Sequence, residues 1–254
     1  MTPRFVGKGQ GTAMITDEEQ KRYHRQILQF GEAGQERLKA ARVLIAGLGG
    51  LGTVIAAYLA AAGVGRLRVA DCDVVEASNL NRQILHWGGD IGRPKTASAA
   101  EKLSALNALI RVEAVTGRID EAGVGAIARD CDLIVDAMDN FPTRYLLNRT
   151  ALRMGIPFIH GAVRGMYGQA MTVLPGKTPC LRCVFPGSPP PEIFPIIGAT
   201  CGVIGSVEAT EAIKLLTGEG VPLAGRLLIW DGLAVCADII TVERSPGCPD
   251  CGQP

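Results

Sequence analysis

The sequence predicts an α/β fold, with a mostly parallel sheet, helices on both faces and an antiparallel C-terminal extension. Short apolar runs alternate with helical patterns between residues 42 and 160, which is typical of parallel sheets. A glycine-rich turn at residues 47–52 lies between the first apolar run and the helix that follows it. Beyond Gly161 this alternation ends, and two apolar segments near the C-terminus read as a closing strand pair.

The length and the composition indicate one domain. The 254 residues can build a sizeable core, because 47% of them are hydrophobic and only 20% are charged. We expect a flexible tail over residues 1–16, where periodicity is weak, and a single domain over residues 17–254. The net charge of +1 gives no reason to expect a nucleic acid or a membrane as partner. No signal peptide opens the chain, so we expect a cytoplasmic location.

The elements of the first half follow from periodicity and capping residues. A helix over residues 17–28 begins at an N-cap formed by Thr16 or Asp17, and a short helix follows at 35–40. Residues 43–65 carry no charge, but their six glycines favour a strand at 42–46 and a helix at 51–62 over a membrane span. The further predicted strands are 67–70, 111–115, 133–137 and 157–159, and the further helices are 95–106 and 143–154.

The second half is organised differently. Residues 169–174 are predicted as a strand that runs into a segment rich in Pro, Gly and Cys. The prolines at 189–191 require an extended loop, since proline cannot join a regular helix or ladder. A helix is predicted over 203–216, and strands over 227–230 and 235–242 close the sheet.

The glycine-rich turn reads Gly47-Leu-Gly49-Gly50-Leu-Gly52, the G-x-G-x-x-G pattern, directly after a strand and at the start of a helix. Glycines let the backbone approach a phosphate, whose negative charge the helix N-terminus favours. Asp71 ends the next strand, where a carboxylate can accept hydrogen bonds from ribose hydroxyls. The sequence therefore predicts a Rossmann-like site for a nucleotide that contains ribose.

Polar side chains follow the Asp71 strand at the sheet edge where α/β proteins bind ligands. Asn79 and Arg82 lie in a short polar segment, and the planar fork of an arginine binds oxyanions through two nitrogens. Lys95 stands at the start of a helix, where a lysine is unfavourable unless an anion is near. This set favours a reaction at the phosphates of ATP.

A carboxylate also follows the strand at 133–137. Asp139 comes directly after this strand and is followed by Asn140, which makes Asp139 a candidate Mg²⁺ ligand beside phosphates. We favour Asp139 over Asp136, which can still belong to the strand. The same spacing fits Asp139 as the N-cap of the helix at 143–154, and the sequence leaves both interpretations open.

Four of the eight cysteines form two C-x-x-C pairs 64 residues apart. They are Cys180, Cys183, Cys248 and Cys251. Four thiolates suit a structural, tetrahedral Zn²⁺ site, although unrelated thiols or a redox pair are alternatives. Cys72, Cys131 and Cys236 are predicted to be small core residues. Cys201 lies at the start of a predicted helix, whose N-terminus can lower the pKa of a thiol, but the sequence favours an unreactive Cys201 over a reactive one. The three histidines are expected to pack or to make local hydrogen bonds.

In this order, the motifs resemble those of the ThiF/MoeB/HesA family, the bacterial relatives of ubiquitin-activating enzymes. The resemblance runs from Arg22 to about Cys251 and is strongest to the adenylyltransferases of molybdopterin and thiamine sulfur carriers. The matching segments are Arg22-Tyr-His-Arg25-Gln26, residues 47–52, Asp71-Cys-Asp73, Asn79-Leu-Asn-Arg-Gln83, Lys95, Asp139-Asn140, Glu211-Ala-Ile-Lys214 and both C-x-x-C pairs. Each is weak alone, and together they are specific.

The resemblance implies a reaction. The C-terminal Gly-Gly carboxylate of a ubiquitin-like sulfur carrier would attack the α-phosphate of ATP, so that pyrophosphate leaves and an acyl adenylate forms. Arg25 resembles an arginine that reaches into the partner subunit's site in this family, which implies a homodimer. The implied nucleotide contacts are Gly47, Gly49, Gly50, Asp71, Asn79, Arg82 and Lys95, with Mg²⁺ at Asp139 beside Asn140.

One segment departs from the family pattern. Residues 184–195 lack the cysteine that many relatives use for a thioester or persulfide, and the nearest thiol is Cys201. This favours adenylation alone, with sulfur supplied by a separate donor protein, since no rhodanese domain follows in the chain. We expect residues 17–160 to form the nucleotide-binding half, and residues 161–254 the carrier-binding half with the zinc knuckles.

Three other functions stay open on the sequence alone. An NAD(P)-dependent oxidoreductase would use the glycine turn and Asp71, but it would leave Arg82, Lys95 and Asp139 without a role. A tRNA-modifying, ATP-dependent dehydratase of the same fold would need a basic face that the charge balance does not indicate. An inactive docking module for a ubiquitin-like partner would not need the complete polar set.

Overall fold

The computed structural model of the protein describes residues 14–188 and 194–252. Most of the predicted tail at 1–16 and the prolines at 189–191 lie outside the described residues. The helices are α1 (Asp17–Ala40), α2 (Gly50–Ala62), α3 (Lys95–Leu106), α4 (Val124–Ile127), α5 (Phe141–Met154), α6 (Leu181–Val184) and α7 (Gly198–Thr217). The strands are β1 (Arg42–Ala46), β2 (Arg66–Asp71), β3 (Arg111–Thr116), β4 (Leu133–Asp136), β5 (Phe158–Arg164), β6 (Tyr167–Val173), β7 (Arg226–Asp231) and β8 (Cys236–Thr241).

The eight strands named above form one sheet in the order β3-β2-β1-β4-β5-β6-β7-β8. The strands from β3 to β5 are paired in parallel, and β6, β7 and β8 are added antiparallel. The parallel order reverses between β1 and β4, and in such sheets the crevice at the reversal point is where ligands bind. The predicted parallel sheet with an antiparallel C-terminal extension is confirmed.

The sheet is buried on both faces. In β1, Val43 and Ile45 belong to a core formed with α2, α3 and α7, whereas Leu44 and Ala46 belong to a core formed with α5 and the cysteine segment. A strand buried on both sides reads as a continuous apolar run, which is why residues 43–46 were recognisable in the sequence. The prediction of helices on both faces is therefore confirmed.

The N-terminal helix is longer than predicted. Thr16 is its N-cap, and Thr16 and Glu19 form a capping box through bonds of 3.2 Å and 2.7 Å. The two helices predicted at 17–28 and 35–40 join into α1, which is interrupted only by Gly31 at a φ of 70°. Glycine adopts this left-handed conformation without steric cost, so the chain can bend there and continue.

Two elements are longer in the structure than in the prediction, because long-range contacts extend them. The helix predicted at 203–216 begins at Gly198, whose Cα lies so close to the backbone oxygen of Asn81 that a Cβ would be 2.6 Å from it. The strand predicted at 157–159 continues to Arg164 because it pairs with β6 over seven residues. No helix among the described residues has both the length and the apolar composition that a membrane span requires.

Candidate functional site

A cavity of about 520 Å³ lies at the carboxyl ends of the parallel strands, where the strand order reverses. The loops after β1, β2, β3 and β4 line it. The predicted residues in its lining are Gly47, Gly49, Gly50, Asp71, Arg82, Lys95, Asp139 and Asn140. Asn79 lies in an adjoining recess that shares Lys95 with the cavity. Arg25 is exposed on α1 and is not among the residues that line this cavity.

The glycine turn is packed so tightly that two of its glycines cannot be replaced. Gly47 has a φ of 96°, and a Cβ on it would lie 2.6 Å from the backbone oxygen of Ala137. A Cβ on Gly52 would overlap the backbone oxygen of Gly47. This close approach brings the loops after β1 and β4 together and leaves the first turn of α2 facing the cavity. Its unpaired backbone N–H groups are suited to a phosphate.

Two side chains hold the peptide groups at Leu48. Asp71 accepts a hydrogen bond from the Leu48 backbone nitrogen at 2.7 Å and another from Asp73 at 2.8 Å. His86 lies 3.1 Å from the Leu48 backbone oxygen and 2.9 Å from the hydroxyl of Ser98, which confirms a local hydrogen-bonding role for this histidine. Asp71 thus shapes the loop, a role that the sequence did not suggest, and it also lines the cavity.

Lys95 is buried, and the negatively charged group expected near it is a side chain of the protein itself. Its Nζ lies 2.8 Å from a carboxylate oxygen of Asp73, and the hydrogen bond from Lys95, together with its charge, holds the pKa of Asp73 below its usual range. Arg82 is half-buried and donates to the backbone oxygen of Ser78 at 2.9 Å and to Asn81 at 3.0 Å. Both cations border the cavity, where the carboxylates of Asp71 and Asp73 lie on the same side.

The structure decides between the two interpretations of Asp139. The N-cap of α5 is Asn140, whose side-chain oxygen accepts from the Thr143 nitrogen at 3.0 Å. Asp139 is exposed at the cavity, and its carboxylate accepts from the Asn140 side chain at 3.2 Å. The capping role considered for Asp139 is therefore wrong, and its carboxylate is available at the cavity.

A buried polar group beside the cavity was not predicted from the sequence. Asp136 is completely buried at the end of β4, and its carboxylate lies 2.8 Å from Nδ1 of His160 and 3.7 Å from Nε of Arg144. Only Arg144 of the three lines the cavity. A charged residue within the buried run of α5 was a signal for this cluster, because arginine is rarely buried unless it is paired.

Glu208 on α7 is a second buried acid that the sequence did not assign. Both of its carboxyl oxygens are buried, and they have no hydrogen-bond partner among the described residues. Burial raises the pKa of Glu208 well above its usual value, and the negative charge of Asp136 raises it further. The carboxyl packs against Gly161, where a side chain would overlap it. Glu208 therefore keeps its proton to a higher pH in the folded protein than in the unfolded chain.

This proton makes stability depend on pH. The stabilisation is complete below the ordinary glutamate pKa of 4.5 and is lost as pH rises through the raised pKa of Glu208. Glu208→Gln has the same shape but does not ionise, so its free energy of unfolding should fall less than that of wild type between pH 5 and pH 8. The expected difference is about 1.4 kcal/mol for each unit by which the pKa is raised. Urea unfolding of both proteins at several pH values measures it, and parallel stability curves would contradict it.

The four paired cysteines converge on one point. The Sγ–Sγ distances are 3.9 Å for Cys180–Cys183, 3.5 Å for Cys180–Cys248 and 3.3 Å for Cys183–Cys251. All four Sγ atoms lie within 4.8 Å of one another. A tetrahedron with Zn–S bonds of about 2.3 Å has sulfur atoms about 3.8 Å apart, so this cluster fits zinc.

The cysteine cluster is attached to α5 through one side chain. Asn148 is fully buried; its oxygen accepts from the Leu181 nitrogen at 3.0 Å, and its nitrogen donates to Asp250 at 2.9 Å. Leu181 and Asp250 belong to the two C-x-x-C segments. The packing therefore brings the second C-x-x-C segment to the body of the domain.

The other cysteines only partly follow the prediction. Cys131 is buried, as expected, whereas Cys72 and Cys236 are exposed, so their assignment to the core is wrong. Cys72 lies just past the end of β2 at the cavity, and Cys236 begins β8, the edge strand, all of whose residues are exposed. Cys201 lies in the first turn of α7, but burial raises the pKa of its thiol. Burial therefore opposes the effect of the helix N-terminus on this thiol.

Comparison with known proteins agrees with this geometry. The profile of the ThiF family matches residues 23–250. A sulfur carrier protein adenylyltransferase from Thermus thermophilus is 47% identical over 251 residues, which cover 94% of this chain and 93% of that protein. A SAMP-activating enzyme E1 from Haloferax volcanii is 45% identical, covering 91% of this chain and 88% of that protein.

The fold also has counterparts among solved structures. The crystal structure of E. coli MccB with MccA-N7isoASN superposes with a TM-score of 0.83, covering 96% of this chain and 77% of that one. The sequences are 24% identical, so this likeness concerns the fold. It supports the fold described above.

Proposed function

The chain belongs to the ThiF family, and we propose from this membership and its cavity that it is an adenylyltransferase for a ubiquitin-like sulfur-carrier protein. It uses ATP to activate the C-terminal carboxylate of that carrier. One observation carries the proposal: the cavity combines a glycine turn with Arg82, Lys95 and Asp139 at the reversal point of the sheet. An oxidoreductase would leave these three charged side chains without a role.

The residues act by positioning and charge. The backbone of the glycine turn and the first turn of α2 bind phosphate oxygens, which brings the α-phosphate within reach of the carrier carboxylate. The carboxylate attacks the α-phosphate, the bond to the β-phosphate breaks, and pyrophosphate leaves. Arg82 and Lys95 stabilise the negative charge that develops on the phosphates, and Asp71 binds the ribose. This step requires no covalent enzyme intermediate, in keeping with the burial of Cys201.

Asp139 and Asn140 fit a divalent cation. The carboxylate of Asp139 is exposed at the cavity, and hard oxygen ligands of this type suit Mg²⁺. When it is bound, the ion neutralises phosphate charge. The proposal also places Arg25 at the active site of the partner subunit of a homodimer, because it is exposed on α1 and outside the lining of its own cavity. Sulfur then comes from a separate donor protein.

We place a structural zinc ion at the cysteine cluster, on the strength of its sulfur geometry. The expected content is about one zinc per chain. Cys248→Ser should remove the metal and cost several kcal/mol of unfolding free energy, since structural zinc contributes about 10–16 kcal/mol of binding energy in small peptides. Metal analysis and thermal unfolding measure both effects. Cys236→Ser, at an exposed cysteine on β8, is the matched control. Equal behaviour of the two variants would contradict the zinc site.

ATP–pyrophosphate exchange tests the proposed reaction. The assay uses candidate sulfur carriers that end in Gly-Gly, each beside a version without the last glycine. We expect exchange only with the intact tail, because shortening it withdraws the carboxylate from the α-phosphate. The carrier that supports exchange also identifies the pathway.

Three other results would count against the proposal. Exchange that ignores the carrier tail would remove the carrier carboxylate from the reaction. No exchange with any carrier, from a dimer that binds ATP, would indicate a different carboxylate substrate or a docking role. Reduced nicotinamide binding in place of ATP binding would favour an oxidoreductase.

A further inference from the structure

Three buried side chains beside the cavity have no part in the proposed chemistry. They are Asp136 at the end of β4, Arg144 on α5 and His160 on β5. Asp136 and His160 are completely buried, and Arg144 is 7% exposed. Burying a carboxylate and a guanidinium is unfavourable unless their hydrogen bonds are made, so the bonds within this group define its role.

Asp136 and Arg144 hold the residue that precedes Asp139. The backbone nitrogen of Met138 donates to one carboxylate oxygen of Asp136 at 3.0 Å. The backbone oxygen of Met138 accepts from Nε and Nη2 of Arg144 at 3.1 Å and 2.6 Å. Both backbone polar groups of Met138 are thus bound by buried side chains, one on each side. Asp139 follows directly and lies at the cavity.

His160 in turn holds the second oxygen of Asp136. The distance from Nδ1 of His160 to this oxygen is 2.8 Å. Burial and the charge of Arg144 lower the pKa of His160, so the ring is neutral and carries one N–H. A carboxylate can only accept, so this N–H is on Nδ1. The other ring nitrogen, Nε2, then accepts from the amide nitrogen of Gln169 at 3.3 Å.

We propose that His160 is a positioning residue that orients Asp136, and that Asp136 with Arg144 thereby fixes Asp139 for the divalent cation of the nucleotide. The proposal rests on the proposed function, in which Asp139 binds Mg²⁺. Residues that orient a metal ligand from behind commonly change metal affinity by about 10- to 100-fold when they are removed.

Packing alone does not account for a histidine at this position. The His160 ring lies 5.8 Å from the ring of Phe185, and an apolar side chain could make the same contact. Without the Nδ1 donor, the second oxygen of Asp136 would have no hydrogen-bond partner among the described residues, since the Nε of Arg144 is 3.7 Å away. That distance is longer than a hydrogen bond, so the carboxylate would be free to rotate away from the Met138 nitrogen.

The test measures how much Mg²⁺ strengthens ATP binding, by calorimetry on the full chain without carrier, with Mg²⁺ and with EDTA. His160→Leu removes the donor, whereas the amide nitrogen of His160→Asn can take the place of Nδ1. We expect His160→Leu to reduce the Mg²⁺ effect by roughly 10- to 100-fold while leaving ATP binding in EDTA unchanged. We expect His160→Asn to retain most of the effect. If His160→Leu fails to fold, Asp136→Asn takes its place in the test. This variant keeps the shape of the side chain and should lose the Mg²⁺ effect.

Phe158→Leu is the control for lost packing. Phe158 is fully buried in the same strand, so this variant should lose stability and keep the Mg²⁺ effect. A wild-type Mg²⁺ effect in His160→Leu would overturn the proposal. So would an equal loss in His160→Asn and His160→Leu, since it would assign the effect to the ring and not to its donor.

Asp139→Asn separates this inference from its premise. If Asp139→Asn keeps the Mg²⁺ effect, the placement of Mg²⁺ in the proposed function is wrong, and the inference falls with it. If Asp139→Asn loses the effect while a folded His160→Leu keeps it, only the role of His160 is wrong.

Discussion

Replacing Lys95 with methionine is expected to lower the rate of ATP–pyrophosphate exchange by about 100- to 1000-fold, the usual effect of removing one group that stabilises transition-state charge. The methionine fills the same buried space but lacks the charge that lies 2.8 Å from Asp73 at the cavity. Without that charge, Asp73 adds an unpaired negative group next to the departing pyrophosphate. Steady-state exchange at saturating ATP measures the loss.

Lys102 provides a matched control on the same helix. It is buried like Lys95 and paired with Asp90 at 2.5 Å, but it is not among the cavity-lining residues. Lys102→Met should lower the free energy of unfolding by about 1–3 kcal/mol, because the buried Asp90 loses one of two cationic partners and keeps the partly exposed Arg93. Where the variant is folded, its exchange rate should stay close to that of wild type. Equal rate losses in Lys95→Met and Lys102→Met would assign the effect to stability.

Mixing variants tests the role of Arg25 in the same assay. Arg25→Ala and Lys95→Met should each be inactive alone. In a mixed dimer, one of the two sites has an intact Lys95 and receives Arg25 from the partner subunit. When the two variants are present at equal concentrations, half of the dimers contain one subunit of each. One of the two sites in these dimers is complete, so about a quarter of the wild-type activity should return. A mixture without activity would contradict the placement of Arg25 across the interface.

Replacing Gly52 with alanine is expected to destabilise the fold by about 3 kcal/mol or more and to abolish ATP binding. The added Cβ would overlap the backbone oxygen of Gly47, and it would also lie 3.3 Å from the side chain of Ala137. Neither neighbour is the flexible end of a side chain, so the turn itself must move away from the loop after β4. Urea unfolding and calorimetry with ATP measure the two losses.

Gly49→Ala is the control within the same turn. A Cβ at Gly49 would meet only the side chain of Gln83, at 3.9 Å, and Gly49 has a negative φ of −80°. Its stability should therefore stay within about 1 kcal/mol of wild type, a typical cost for alanine at a helix N-cap. A Gly52→Ala variant as stable as Gly49→Ala would show that the turn is not packed as described.

Local patterns were enough for most of the fold. The strand at 42–46 and the helix at 95–106 have the predicted bounds, because a continuous apolar run and a helical period are both encoded within a few residues. The cysteine cluster was also predictable, since thiol pairs with this spacing have few alternative uses. The start of α7 and the end of β5 were not predictable, because contacts with Asn81 and with β6 extend them.

The sequence by itself determined the fold class, the position of the cavity and several of the charged residues that line it, because strand ends, glycines and cations occur in a specific order. Only the tertiary structure decided that Asn140 and not Asp139 caps α5, that Cys201 is buried, and that Asp136 meets His160. These outcomes depend on groups far apart in the chain. Burial and hydrogen bonding set the protonation and the orientation of a side chain, and both are established only when separate elements pack together.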